Sequence, residues 1–227
     1  MANRVSRPTN ASYGAFRAGV QLAALALAAG LAFGGAAQAR ALRLVALGDS
    51  LTAGYGLKPG EAFPVALQRA LKARGWEVEV VNAGVSGETA ADGLARYDWS
   101  VPAGTDALIV ELGANDMLRG LDPAAAETAL AEILTKAQGA HIVTLLAGMK
   151  SIANFGSDYQ RRFDAIYPDL AAKFGVALYP FFLEGVVGDP AFTLPDGLHP
   201  NREGVEKIVA AILPSVEATL TQAQAKP

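Results

Sequence analysis

The chain has 227 residues, 52% of them hydrophobic, a formal net charge of −3, no cysteine and two histidines, His141 and His199. That length allows one domain with a substantial core, and the lack of cysteine excludes disulfides, thiolate metal sites and cysteine nucleophiles. Two imidazoles rule out mechanisms that need several, and without a basic run nucleic acid is an unsuitable partner.

Arg4, Arg7 and Arg17 open the chain with no acid among them, and Ala18 to Ala37 is apolar apart from Gln21. Ala37-Gln38-Ala39 then supplies small residues in A-x-A spacing. This is the pattern of a secretory signal, 1–39, cleaved before Arg40. An uncleaved anchor is the rival, because the apolar run approaches spanning length. Its weakly hydrophobic Ala/Gly composition and the adjoining small residues favour cleavage. The remaining domain, 40–227, would hold 16 basic and 22 acidic residues, a charge of about −6. It is expected to be a periplasmic or secreted monomer with no stable membrane anchor.

Leu42 to Leu47 is the first strand expected. Phe63 to Arg74 carries a helical apolar stripe closed by Gly75. Val78 to Val81 is a second strand, Glu88 to Tyr97 a short helix, and Ala107 to Leu112 ("ALIVEL") a third strand. Asp122 caps a helix with Pro123 at its first position, running to about Gln138. Ile142 to Leu146 is a fourth strand. Ser157 to Phe174 is helical, with Pro168 expected to kink or divide it. Val176 to Tyr179 is a weak fifth strand. Asn201 caps a last helix whose apolar face runs from Val205 to Leu220, with a bend or split expected at Pro214 and fraying after Thr221. This alternation predicts one α/β domain around a five-stranded parallel sheet, a flavodoxin-like three-layer α/β/α sandwich.

Ligands of such sheets bind beyond the carboxyl ends of the strands. Gly48-Asp49-Ser50 follows the first strand, Asn82 to Gly87 the second, Gly113-Ala114-Asn115-Asp116 the third, and Asp196-Gly197-Leu198-His199 lies past the fifth. These residue types suit acyl transfer. A serine hydroxyl needs a base to act as a nucleophile, and imidazole is the usual one near neutral pH. His141 begins a strand at the opposite edge, which leaves His199. Asp196, three residues upstream, can orient the ring through the Gly197 turn. Ser50 N–H, Gly84 N–H and the Asn115 amide are candidate oxyanion donors.

Four blocks carry a resemblance: "GDSLTAGYG", Gly84 in "NAGVSGET", "GANDMLRG" and "DGLHPN". Together they resemble the SGNH (GDSL) hydrolase family, near its bacterial thioesterase I, lysophospholipase L1 and arylesterase branch, from about Leu42 to about Leu213. The resemblance implies Ser50 as nucleophile, Gly84 and Asn115 as oxyanion binders, Asp196 and His199 as the rest of a triad, and neither metal nor cofactor. It also implies small-molecule or lipid acyl esters and thioesters as substrates. Ala114 departs from the family's usual Gly-Gly-Asn-Asp.

Blander readings stand beside these. Taken alone, Ser50 reads equally as a helix cap or a nucleophile. Ser86 reads as a turn hydroxyl, and Asp49 and Asp116 as loop-ordering acids. A divalent-metal site of Asp49, Asp116, Asp196 and His199 for phosphoester cleavage is the chemical alternative, but it leaves Ser50 and Asn115 idle. A sugar-ester deacetylase is the alternative within the family, and a glycan- or lipid-binding domain without turnover is the non-enzymatic one. The loops Ala147 to Gln160 and Phe181 to Pro195 read either as walls of an acyl groove or as core packing.

Overall fold

The computed structural model describes residues 1–2 and 40–226. The expected signal, 1–39, thus lies outside the described residues beyond its first two positions. The chain divides at Arg40, and every described element belongs to the unit Ala41–Pro227. Among the described residues, no helix is long and apolar enough to cross a membrane.

Five strands, β1 (Leu42–Gly48), β2 (Val78–Gly84), β3 (Ala107–Glu111), β4 (Val143–Ala147) and β5 (Ala177–Tyr179), form one parallel sheet in the order β2-β1-β3-β4-β5. This is the expected flavodoxin-like order. The helices are α1 (Ser50–Ala53), α2 (Phe63–Ala73), α3 (Ala90–Ala95), α4 (Tyr97–Ser100), α5 (Ala114–Leu118), α6 (Pro123–Gly139), α7 (Ser157–Phe174) and α8 (Arg202–Gln224). Helices α2 and α8 pack together over one face, while α3, α6 and α7 cover the other.

Burial follows strand position. Every residue of β3 and β4 is buried, as are the last five of β1, whereas the edge strands β2 and β5 keep exposed positions. The continuous apolar runs belong to strands with helices on both sides. Phe63, Leu67 and Leu71 project from α2 into one half of the core, and Ile208, Ile212 and Val216 from α8 join them.

The helices correct three expectations. The span 88–97 is two short helices: Thr89 caps α3 by accepting from Asp92 N–H while Asp92 accepts from Thr89 N–H, and α4 follows. Pro168 and Pro214 lie inside continuous helices and divide neither. An interior proline costs about 3 kcal/mol, but each buried aliphatic or aromatic side chain beside it returns about 1.5–3 kcal/mol. Ile166, Tyr167 and Leu170 flank Pro168, and Ile212, Leu213 and Val216 flank Pro214, all buried, so packing prevails. Helix α8 also continues past Thr221 to Gln224, because Leu220 and Ala223 are still buried.

Tyr167 ties a helix to the carboxyl edge of the sheet. Its ring is buried in α7, and its hydroxyl donates to the Leu112 carbonyl at 2.9 Å, just beyond β3. Burial raises this phenol well above its ordinary pKa, so it remains a donor. Tyr167→Phe leaves that carbonyl without this donor, and an unfolding free energy lower by about 1–3 kcal/mol is expected. Urea denaturation of the two proteins measures it; equal midpoints would show that the bond contributes nothing.

Candidate active site

The first three polar segments come together because their strands end level. In the parallel register Gly48 pairs with Gly84 on one side and with Glu111 on the other. The chain turns immediately after Gly48 into α1. Asp49 caps this helix, its Oδ1 accepting from Leu51 N–H at 3.0 Å, and Gly54 closes it in the left-handed region at φ 86°. The capping role thus falls to Asp49, and Ser50 is the first helical residue. Gly84 runs so close to α1 that a Cβ there would lie 2.3 Å from Ala53 N.

The last block reaches the same edge from a loop. Thr193 and Pro200 form an antiparallel bridge, closed by Leu194 N–H donating to the His199 carbonyl at 2.8 Å. Within it, Gly197 takes φ 70° and Asp196 Oδ1 accepts from Leu198 N–H at 2.9 Å and His199 N–H at 3.0 Å. That turn aims Asp196 Oδ2 at His199 Nδ1, 2.6 Å away, and the opposite ring nitrogen, Nε2, is 3.0 Å from Ser50 Oγ. Partial desolvation pushes Asp196 up, but the two backbone donors and the imidazole outweigh it and hold the carboxyl at about 2. An imidazole between a hydroxyl and an ionised carboxylate can take the hydroxyl's proton and be stabilised as a cation. Tyr55 packs beside His199, ring centroids 4.5 Å apart and planes tilted by 38°.

Asn115 sits in α5. Its amide nitrogen donates to Asp49 Oδ2 and to the Glu88 carbonyl, both at 2.9 Å. Gly84 N–H donates to Asn82 Oδ1 at 2.9 Å. The candidate donors therefore converge on this edge while bonded to protein acceptors. Ser50 N–H differs, since the first N–H of a helix has no intrahelical acceptor. Ala114 causes no distortion, because the left-handed position of the "GAND" turn is Gly113 at φ 111° and Ala114 is helical.

The other acids order backbone. Asp116 accepts from Ala90 N–H at 2.8 Å and burial raises its pKa. Burial pushes Asp49 from 3.8 up to about 6. The acids therefore have separate partners, and among the described residues no group of three His, Asp or Glu side chains could hold an ion. His141 lies at the start of β4, away from this edge, in the left-handed region at φ 57°, and Ser86 is exposed in a turn.

Two buried groups were not anticipated. Glu111, the acid in "ALIVEL", is fully buried and its Oε2 accepts from Thr52 Oγ1 at 2.6 Å. Arg96 holds Glu88 at 2.5 Å and donates to the Gly48 carbonyl at 3.0 Å. An acid inside an apolar strand was the one available signal for Glu111.

A cavity of about 360 Å³ opens beside Ser50 and His199, walled by Met117, Met149, Ile152, Phe181, Leu183 and Val187. Both loops considered in the sequence contribute to it, which favours groove walls over mere core packing.

A model of the GDSL-like lipase/acylhydrolase family matches residues 46–207, from β1 into α8. Esterase TesA of Pseudomonas aeruginosa is 38% identical over 184 residues, covering 81% of this chain and 92% of that protein. Thioesterase 1/protease 1/lysophospholipase L1 of Escherichia coli is 41% identical over 161 residues, covering 70% and 76%. The crystal structure of AlinE4, an SGNH-hydrolase family esterase, superposes with a TM-score of 0.67 at 46% identity, covering 80% of this chain and 97% of that one. On a match that runs from within β1 into α8 and takes in all four polar segments, the chain belongs to the GDSL (SGNH) hydrolase family and is a carboxylic ester hydrolase.

Proposed function

We propose that the chain hydrolyses carboxylic esters and thioesters through an acyl-enzyme on Ser50. The observation that carries this reading is the unbroken line from Asp196 Oδ2 through His199 to Ser50 Oγ, with contacts of 2.6 and 3.0 Å. Ser50 Oγ bonds to the carbonyl carbon as its proton passes to His199 Nε2. Asp196 keeps the ring in the tautomer with Nδ1 protonated and stabilises the imidazolium. His199 then gives that proton to the departing alcohol or thiol. A water deprotonated by His199 attacks the acyl-enzyme, releases the acid and restores Ser50.

The oxyanion is bound by the N–H groups of Ser50 and Gly84 and by the Asn115 amide. Ser50 N–H is free to meet it. Gly84 and Asn115 must share a hydrogen already given to a protein acceptor, so these contacts strengthen as charge grows on the oxygen. The apolar cavity supports an acyl chain as the part of the substrate bound there. Short to medium acyl esters, aryl esters and lysophospholipids are the class we assign, in keeping with the names of the relatives. The basic start, apolar run and A-x-A site of the sequence support export to the periplasm or beyond, and cytosolic acyl-CoA is then an unsuitable physiological substrate.

Ser50→Ala is expected to leave roughly 10³–10⁴-fold over water and to abolish labelling by an organophosphonate. Asn115→Ala should lower kcat by about 10²–10³-fold. Turnover of p-nitrophenyl esters near the wild-type rate in the Ser50 variant would overturn the mechanism. Rates across an acyl-length series, run beside an acetylated sugar, test the substrate class. Preference for the sugar would replace the lipid-ester reading with a deacetylase.

A further inference from the structure

The nucleophile turn is a helix of four residues. That is far below the length at which a helix sustains itself, so contacts to the rest of the protein must set its geometry. Ser50 opens it and Asp49 caps it. Thr52, two residues on, is fully buried and points into the sheet, where its hydroxyl donates to Glu111 Oε2 at 2.6 Å. The same oxygen also accepts from Asp49 N–H at 3.4 Å. One carboxyl oxygen at the end of β3 therefore holds both the cap and the body of the turn.

Neighbouring residues make room for this bond. Gly48 lies opposite Glu111 in the register, and a Cβ on it would stand 2.1 Å from Thr52 Oγ1 and 2.5 Å from Glu111 Oε2. The glycine before Asp49 is thus required by the acid behind the turn. A buried carboxyl is costly without full pairing, and Glu111 Oε1 has no partner among the described residues. An apolar residue at 111 would continue β3 without that cost. The position spends stability on one short hydrogen bond to the helix that bears the nucleophile.

We propose that Glu111 is a positioning residue, fixing the Ser50 turn through Thr52 Oγ1 so that Ser50 Oγ stays within reach of His199 Nε2. This rests on the reading of Ser50 as nucleophile. Burial, and secondarily the charge of Asp49, hold Glu111 well above the usual carboxylate range. The oxygen that Thr52 meets acts as an acceptor, and the amide oxygen of a glutamine can accept the same Thr52 proton.

Four variants test this: Thr52→Val, Glu111→Leu, Thr52→Ser and Glu111→Gln. Each is assayed for kcat and KM on a p-nitrophenyl ester, for the rate constant of organophosphonate labelling, and for thermal unfolding. Thr52→Val and Glu111→Leu are expected to lower kcat and the labelling rate constant together by about 10- to 100-fold, the scale of a small misplacement of a reacting group, with KM unchanged. Combined, they should cost no more than the worse one alone, because they break one bond. Thr52→Ser and Glu111→Gln should recover most of the loss. A purely structural role would shift the unfolding temperature and leave kcat per folded molecule intact, and that outcome overturns the proposal. Should Glu111→Leu fail to fold, the near-isosteric Thr52→Val decides alone. If Ser50→Ala is inactive while Thr52→Val is fully active, only the positioning role fails. If Ser50→Ala is active, the underlying mechanism fails instead.

Discussion

The constraint on which this site depends is the register of β1 between its neighbours. Gly48 stops level with Gly84 and with Glu111, so three segments distant in sequence leave the sheet side by side. A slip of one residue in a parallel pair would turn every side chain to the opposite face. Glu111 would then leave Thr52, and Gly84 would no longer face Ala53. The apolar filling of β1, β3 and β4 fixes that register. The core therefore places the chemistry, although no core residue takes part in it.

The histidine arrives differently. No strand carries it, and its loop is held by the Thr193–Pro200 bridge and by Asn201, whose side chain accepts from Gly204 N–H to cap α8. Helix α8 is anchored in the core by its apolar face. The loop that carries His199 is thus a short span between two fixed points, and Asp196 spends three hydrogen bonds organising it. A loop so tied behaves as part of the scaffold, which is what an imidazole needs to keep one tautomer and one direction.

Much of this was legible in the sequence for identifiable reasons. Runs of four to six residues between helical stripes revealed the sheet, and the shortage of histidines, with the position of each, singled out His199. The helix α1 was not legible, since four residues show no periodicity. The division that was one expected outcome at Pro168 and Pro214 does not occur, because local propensity is outweighed by burial that only the tertiary structure supplies. Glu111 was read simply as part of a strand, because nothing in "ALIVEL" says that its carboxyl faces Thr52. Nor could the sequence reveal that Asn115 and Gly84 donate to Asp49, Glu88 and Asn82 before any substrate arrives.

The acids at this edge illustrate how one environment can divide a common functional group into separate roles. Asp49, Glu111, Asp116 and Asp196 lie around Ser50, whose proposed reaction creates negative charge. Four ionised carboxylates there would oppose the oxyanion. Burial instead pushes Asp49 up to about 6, raises Asp116, and holds Glu111 well above the usual range. Asp196 alone is held down, at about 2, by two backbone donors and the imidazole, and it is the one that touches His199. The acid that must carry charge is therefore the exposed one, where water and hydrogen bonds stabilise it. The acids that only hold backbone and side chains in place are buried, and burial shifts each of them toward the protonated form. Environments that drive like groups apart in pKa mark their division of labour. Under the proposed mechanism, that division keeps the firmly ionised carboxylate behind the histidine, where it would stabilise an imidazolium.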